Sequence, residues 1–159
     1  MDATLERPSS VDEVRLGEMH HALGFLVRLA QLKIYERFFE MLGEHDMRPG
    51  EYSVLSVIAE NPGIRQGVLA QKLIIKRAHI TKLVRAFEDK GLVSRRIPDE
   101  DRRVVELTLT RKGHAFLDAR RPLFSEFEKV VPEGMSVAER DQLVRLLQKY
   151  LGLAESEDR

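Results

Sequence analysis

Apolar residues recur along this chain at helical spacing over most of its length and gather into short β-rich runs at one place. From about Glu18 to Gly43 they fall at Leu23, Leu26, Val27, Ala30, Ile34, Phe38, Met41 and Leu42. That spacing predicts one long helix ended by Gly43, longer than a small domain needs for itself. Pro49 can open a second helix, since the first turn has no use for the missing N–H, and Tyr52, Leu55 and Ile58 supply its buried stripe. Asn61, Pro62 and Gly63 stop it. A short helix from Gln66 to Leu73 and a longer one from Lys76 to Lys90 follow, the second closed by Gly91. Ser94 to Ile97 and Val104 to Leu109 then read as two antiparallel strands around a charged turn. Thr110 is placed to cap another helix, which Pro122 kinks or divides by removing a ladder hydrogen bond. Ser136 and Glu139 form a capping box ahead of Leu143, Leu146, Leu147 and Tyr150. The expected fold is mainly α with one small β-hairpin, and no internal repeat is visible.

Composition narrows the class. The chain has 159 residues, enough for one domain with extensions and a core of its own, and its 33% charged and 43% hydrophobic content is that of a helix-rich globular protein. It contains no Cys, which removes disulfides, thiolate zinc sites and thiol redox sensing together. No apolar run reaches membrane-spanning length, and the polar, acidic N-terminus lacks a signal-like apolar region, so a cytoplasmic protein is expected. Residues 1–16 and the tail 154–159 are expected to be disordered.

Charge changes the picture more. The chain carries 26 basic and 26 acidic residues, yet Ile64 to Arg96 holds nine Lys/Arg (65, 72, 76, 77, 82, 85, 90, 95, 96) against Glu88 and Asp89, a local charge of 9 − 2 = +7. A neutral chain with one concentrated basic segment is built to meet a polyanion at one place. On the helix from Lys76 to Lys90, Ile80, Leu83, Val84 and Phe87 make one apolar stripe at i, i+3, i+4 and i+7. At about 100° per residue the opposite face is centred on Ala78, Lys82 and Arg85, flanked by His79 and Thr81. Lys82 and Arg85 can donate to guanine or phosphate, while Thr81 and the Ala78 methyl can touch thymine.

These residues carry a resemblance. The stretch from Pro49 to Gly113 resembles the MarR family (multiple antibiotic resistance regulators), winged helix-turn-helix transcription factors that act as homodimers. The most specific match is "DEDRRVVELTLTRKG", which resembles the family's wing and its exit through Asp101, Arg103, Leu109, Thr110 and Gly113. "ITKLVRAFEDKGLVSRR" resembles its recognition helix and first wing strand. The resemblance implies a winged helix-turn-helix lobe over 47–113 and a helical dimerisation region over 17–46 and 114–153. It also implies that Arg103 reaches a DNA minor groove from the wing tip, oriented by Asp101 through a salt bridge. A planar guanidinium suits that narrow, strongly negative groove. The candidate DNA-contacting residues are Arg65, Gln66, Lys76, Arg77, Ala78, His79, Thr81, Lys82, Arg85, Arg102 and Arg103, on a pseudo-palindromic operator. Three positions depart from the family pattern. Ile74 stands where a turn glycine is usual, so that turn must avoid positive φ or bear strain. Lys76 replaces the usual Ser or Asp cap, and Arg85 replaces a frequent acid.

The long first helix and the last two have apolar faces that one winged lobe cannot bury, which fits the interlocking dimer helices the resemblance implies. Family members often bind aromatic carboxylates or acyl-CoA thioesters between those helices and the DNA-binding lobe. Candidate effector residues here are His21, Phe25, Arg28, Phe38 and Tyr52, aromatic walls with a cation to neutralise a carboxylate. The phenylalanines also suit an ordinary core, and Arg28 a dimer ion pair. His20, His21, His45, Asp46, His79 and His114 show no metal-ligand spacing, His20/His21 meeting His45 across a dimer being the one alternative, so neither metal nor cofactor is expected. An enzyme is disfavoured, since there is no phosphate-binding Gly-rich loop and no nucleophile elbow. A winged helix that only binds protein would not need Lys82 and Arg85 facing outward, and a regulator without an effector stays open. The function expected is a ligand-responsive DNA-binding regulator, most simply a homodimeric repressor.

Overall fold

A computed structural model describes residues 10–43 and 48–153. His45, Asp46, residues 1–9 and the tail 154–159 lie outside the described residues, as do the expectations attached to them. The chain forms two compact units that divide between Glu51 and Tyr52.

The first unit has 3-10 turns at Val11–Glu13 and Gly17–His21, followed by helix α1, Leu23–Leu42. The helix expected from Glu18 therefore starts five residues later. Gly17 sits at φ +55° and Ala22 is extended at ψ 106°, and neither conformation can propagate a helix. At its other end Gly43 is right-handed, with φ −60°, so it closes α1 without a left-handed cap. Only Phe38 and Leu42 of α1 are buried, while Leu23, Ile34 and Phe39 are each at least 50% exposed. Most of the apolar stripe read in the sequence is thus uncovered within one chain.

Helix α2, Pro49–Glu60, opens with the Glu51 carboxylate accepting from the Arg48 N–H at 3.1 Å, and it straddles the division. In the second unit its Val54, Leu55 and Ile58 enter the core. Asn61 closes it, donating to the Val57 carbonyl at 2.8 Å, and Gly63, at φ +81°, turns the chain into a strand. That strand, β1 (Ile64–Arg65), is an addition to the expected hairpin. The sheet has three antiparallel strands in the order β1-β3-β2, with β2 at Val93–Arg96 and β3 at Glu106–Leu109. Ile64 pairs with Leu107, and β2 runs Val93 opposite Leu109 to Arg96 opposite Glu106.

Helices α3 (Gln66–Lys72) and α4 (Arg77–Asp89) sit between β1 and β2 in sequence. Leu69, Ile80, Val84, Phe87, Leu92 and Leu107 form the centre of the lobe core, each at most 3% exposed. Helix α5, Arg111–Lys129, starts on Thr110, whose hydroxyl accepts from the Gly113 N–H at 3.0 Å. It runs through Pro122 as one helix, undivided. Asp118, whose carbonyl loses its partner to the proline, and Pro122 are both exposed residues, where water can replace the missing bond. Helix α6, Val137–Tyr150, carries the expected capping box and buries no residue. Its Val137, Leu146, Tyr150 and the following Leu151 are all more than half exposed.

Candidate nucleic-acid interface

The site is assembled from α3, α4 and the wing, and α4 sets its geometry. Ile80, Val84 and Phe87 bury one side of α4, which turns Ala78, His79, Lys82 and Arg85 outward as exposed residues. Its N-cap, Lys76, is extended and makes no side-chain cap; its carbonyl accepts from the His79 and Ile80 N–H groups, so no cap oxygen covers the Arg77 and Ala78 amides beside this cation. Lys76, Arg77, Lys82 and Arg85 have no ion-pair partner among the described residues. The strand cations differ. Arg95 is tied to Glu88 at 3.1 Å and Arg96 to Glu106, directly across the sheet, also at 3.1 Å. The excess charge of the segment is therefore concentrated on α4 and its approach, while part of β2's charge is balanced by the fold itself.

Thr81 is placed differently from its expected neighbours on the helix face. It is half-buried, donates to the Arg77 carbonyl at 2.8 Å and accepts from the Gln66 side-chain amide at 3.0 Å. Thr81 and Gln66 thus lock the first turn of α3 to the first turns of α4. The Gln66 N–H also donates to Val105 O at 2.8 Å, fastening the same point to the base of the wing. Between these elements lies a cleft of about 370 Å³, walled by Arg65, Arg77 and Arg103 with Val68, Gln71 and Val104. Val68, Gln71 and Val104 join the site without having been expected there. No pattern in the sequence marks them, because the convergence of this short helix with the wing is non-local.

At the wing tip one carboxylate organises the turn. Asp101 Oδ1 accepts from the Arg103 backbone N–H at 3.1 Å and from its Nε at 3.5 Å, and the Val104 N–H donates to Asp101 O. Arg103 is held at its base while its side chain remains 94% exposed. Arg102, Asp99 and Glu100 are exposed beside it. The wing is anchored at its exit. The Thr110 N–H donates to Leu92 O, its hydroxyl donates to Gly91 O at 2.7 Å, and Gly113 packs so tightly that a Cβ there would lie 2.0 Å from Leu92 O. This contact gives the Leu-Thr-x-x-Gly run of the sequence its physical reason.

The five candidate effector residues are distributed over both units. His21 ends an exposed 3-10 turn with its ring 5.2 Å from that of His20. Phe25 is half-buried and Arg28 exposed on α1, three residues apart on one side. Phe38 is buried, and ten residues of helix put it about 15 Å along the axis from Arg28, so one copy of α1 does not bring the two together. Tyr52, in the second unit, is buried and stacks on Phe124 with ring centroids 4.0 Å apart. Among the described residues no group of three or more His, Asp and Glu could hold a metal ion, and no helix is long and apolar enough to cross a membrane.

Comparison with known proteins places this geometry. The MarR family model matches residues 47–105. A putative transcriptional regulatory protein for the hcr operon of Thauera aromatica is 32% identical over 146 residues, covering 90% of this chain and 88% of that protein. The homoprotocatechuate degradative operon repressor of Escherichia coli is 24% identical over 138 residues, covering 87% and 93%. Among solved structures, the transcriptional repressor CouR bound to a 23-mer DNA duplex superposes with a TM-score of 0.78 at 32% identity, over 87% of this chain and 98% of that one. CouR bound to p-coumaroyl-CoA gives 0.75 at 29% identity, over 87% and 97%.

Proposed function

Since the chain belongs to the MarR family of DNA-binding transcriptional regulators, we propose that it is a homodimeric repressor that reads a pseudo-palindromic operator with α4 and the wing. The observation that carries this reading is the outward face of α4, where Lys82 and Arg85 stand exposed and without ion-pair partners among the described residues. In it, α4 enters the major groove, Arg103 enters the adjacent minor groove, and Arg102 supplements it on the backbone. Arg65, Gln66 and Arg77, which line the cleft, seat a backbone phosphate, and Lys76 and His79 hold the flanking strand. A second copy of the chain covers the exposed apolar faces of α1 and α6. The test is footprinting on DNA upstream of the chain's own gene. Two symmetric half-sites about 10–10.5 base pairs apart are expected, and a single half-site held by a monomer would overturn the dimeric reading.

The same proposal includes an effector, an aromatic carboxylate or its acyl-CoA thioester, received at His21, Phe25, Arg28, Phe38 and Tyr52 contributed across the dimer. CouR bound to p-coumaroyl-CoA and a repressor of homoprotocatechuate degradation support that chemical class. The absence of Cys from the sequence leaves a bound molecule rather than thiol oxidation as the signal, whatever its class. Titrating such acids and esters into a protein–operator complex tests it. Release by a member of the class is the expected result, and a complex that survives all of them removes the effector while leaving DNA binding in place.

A further inference from the structure

Ile74 is the one non-glycine residue at positive φ among the described residues, at +55°, and it is 85% exposed. Its setting can be judged against two others in the same chain. Helices α3, α4 and α6 end in one hydrogen-bond pattern, with Ile75 N donating to Ala70 O, Leu92 N to Phe87 O and Leu153 N to Gln148 O. The left-handed position of that pattern is held by Gly91 after α4 and Gly152 after α6, but by Ile74 after α3. A β-branched residue is disfavoured there because its Cβ crowds the following carbonyl. Nor does the side chain recover the loss by burial. Neither the backbone nor the core accounts for an isoleucine at this position, and strain of this kind concentrates where a side chain has external work.

The position indicates what that work is. Two residues on stands Lys76, the N-cap of α4, so Ile74 lies at the end of α4 that carries Lys76, Arg77 and Ala78. The base edges of the major groove offer a side chain one apolar group, the thymine 5-methyl. We propose that Ile74 is a specificity-determining residue that packs against a thymine methyl when α4 enters the groove. The inference rests on the DNA-reading role proposed for α4.

The test uses duplexes that the wild-type protein selects from a random-sequence library, with each thymine of the common pattern replaced in turn by uracil, which removes only the methyl. At one symmetry-related pair of thymines the replacement should weaken wild-type binding about 10-fold, since each half-site then lacks the methyl that Ile74 covers. Ile74→Gly and Ile74→Asn should lose little at that pair. Both should melt at or above the wild-type midpoint, because each relieves the backbone. If wild type and variants lose the same factor at every thymine, the inference fails and the reading of α4 stands. If the wild type selects no duplex, the reading of α4 fails first.

Discussion

Arg103 and Gly113 show how single residues divide the labour of the wing, one exposed at its tip for the DNA contact proposed above and the other holding the wing in place. Arg103 is fixed to Asp101 at its backbone and Nε yet remains almost wholly exposed, so its removal disturbs no core. Arg103→Ala should weaken operator binding roughly 5- to 150-fold, by about 1–3 kcal/mol, with an unchanged melting midpoint. A gel-shift titration alongside a thermal melt checks both halves. Gly113→Ala should do the reverse first. The added Cβ meets the Leu92 carbonyl, a backbone atom, at 2.0 Å, and relieving that clash should destabilise the lobe by about 1–3 kcal/mol. Chemical denaturation would register it, and a wild-type midpoint would show that the wing exit has more room than the packing allows.

Among the elements, α6 offers the cleanest test of local capping. Ser136 and Glu139 satisfy each other's backbone amides, at 2.8 Å and 3.3 Å, and the two hydrogen bonds from Ser136 hold the Glu139 carboxyl below the ordinary glutamate value. A depressed carboxyl contributes stability that is fully present above its unfolded value and lost as pH falls through the folded one. Ser136→Ala should therefore lower the midpoint near neutral pH, by an amount equivalent to roughly 1 kcal/mol. The gap between the two proteins should narrow as the pH is taken below about 4. A gap that stays constant with pH would contradict the charge-dependent part.

Elements also show what the sequence could reveal. The apolar stripes of α2 and α4, the Thr110 and Ser136 caps and the Gly91 stop depend on neighbours within a few residues, and each was legible. Strand β1 was not, because a two-residue strand is defined by its partners Glu106 and Leu107, some forty residues away. The start of α1 was misplaced because the extended conformation of Ala22, which delays the helix to Leu23, leaves no mark in the apolar spacing. Within the site, the outward faces of Ala78, Lys82 and Arg85 follow from helical periodicity alone. The engagement of Thr81 with Gln66, and the cleft beside it, required the packing of α3 on α4.

For the whole molecule, the exposed apolar faces of α1 and α6 and the cationic face of α4 lead to one proposal, a two-fold assembly whose effector changes the spacing of its two reading helices. An effector that favours the non-binding spacing by about 2–3 kcal/mol would lower operator affinity some 30- to 150-fold. Linkage requires operator DNA to weaken effector binding by the same factor, which calorimetry with and without operator would measure. Unequal factors would mean that the two ligands do not act through one equilibrium.

The central claim, that α4 and the wing form the DNA-reading surface, is tested most directly by the salt dependence of operator affinity. Each neutralised phosphate contributes about −0.9 to the slope of log affinity against log salt concentration. A two-fold complex using the cations of α4 and the wing should show a slope of several units, and Lys82→Ala should make it shallower by about two, one phosphate in each copy. A binding constant indifferent to salt, or wild-type affinity and slope in both Lys82→Ala and Arg103→Ala, would contradict the account.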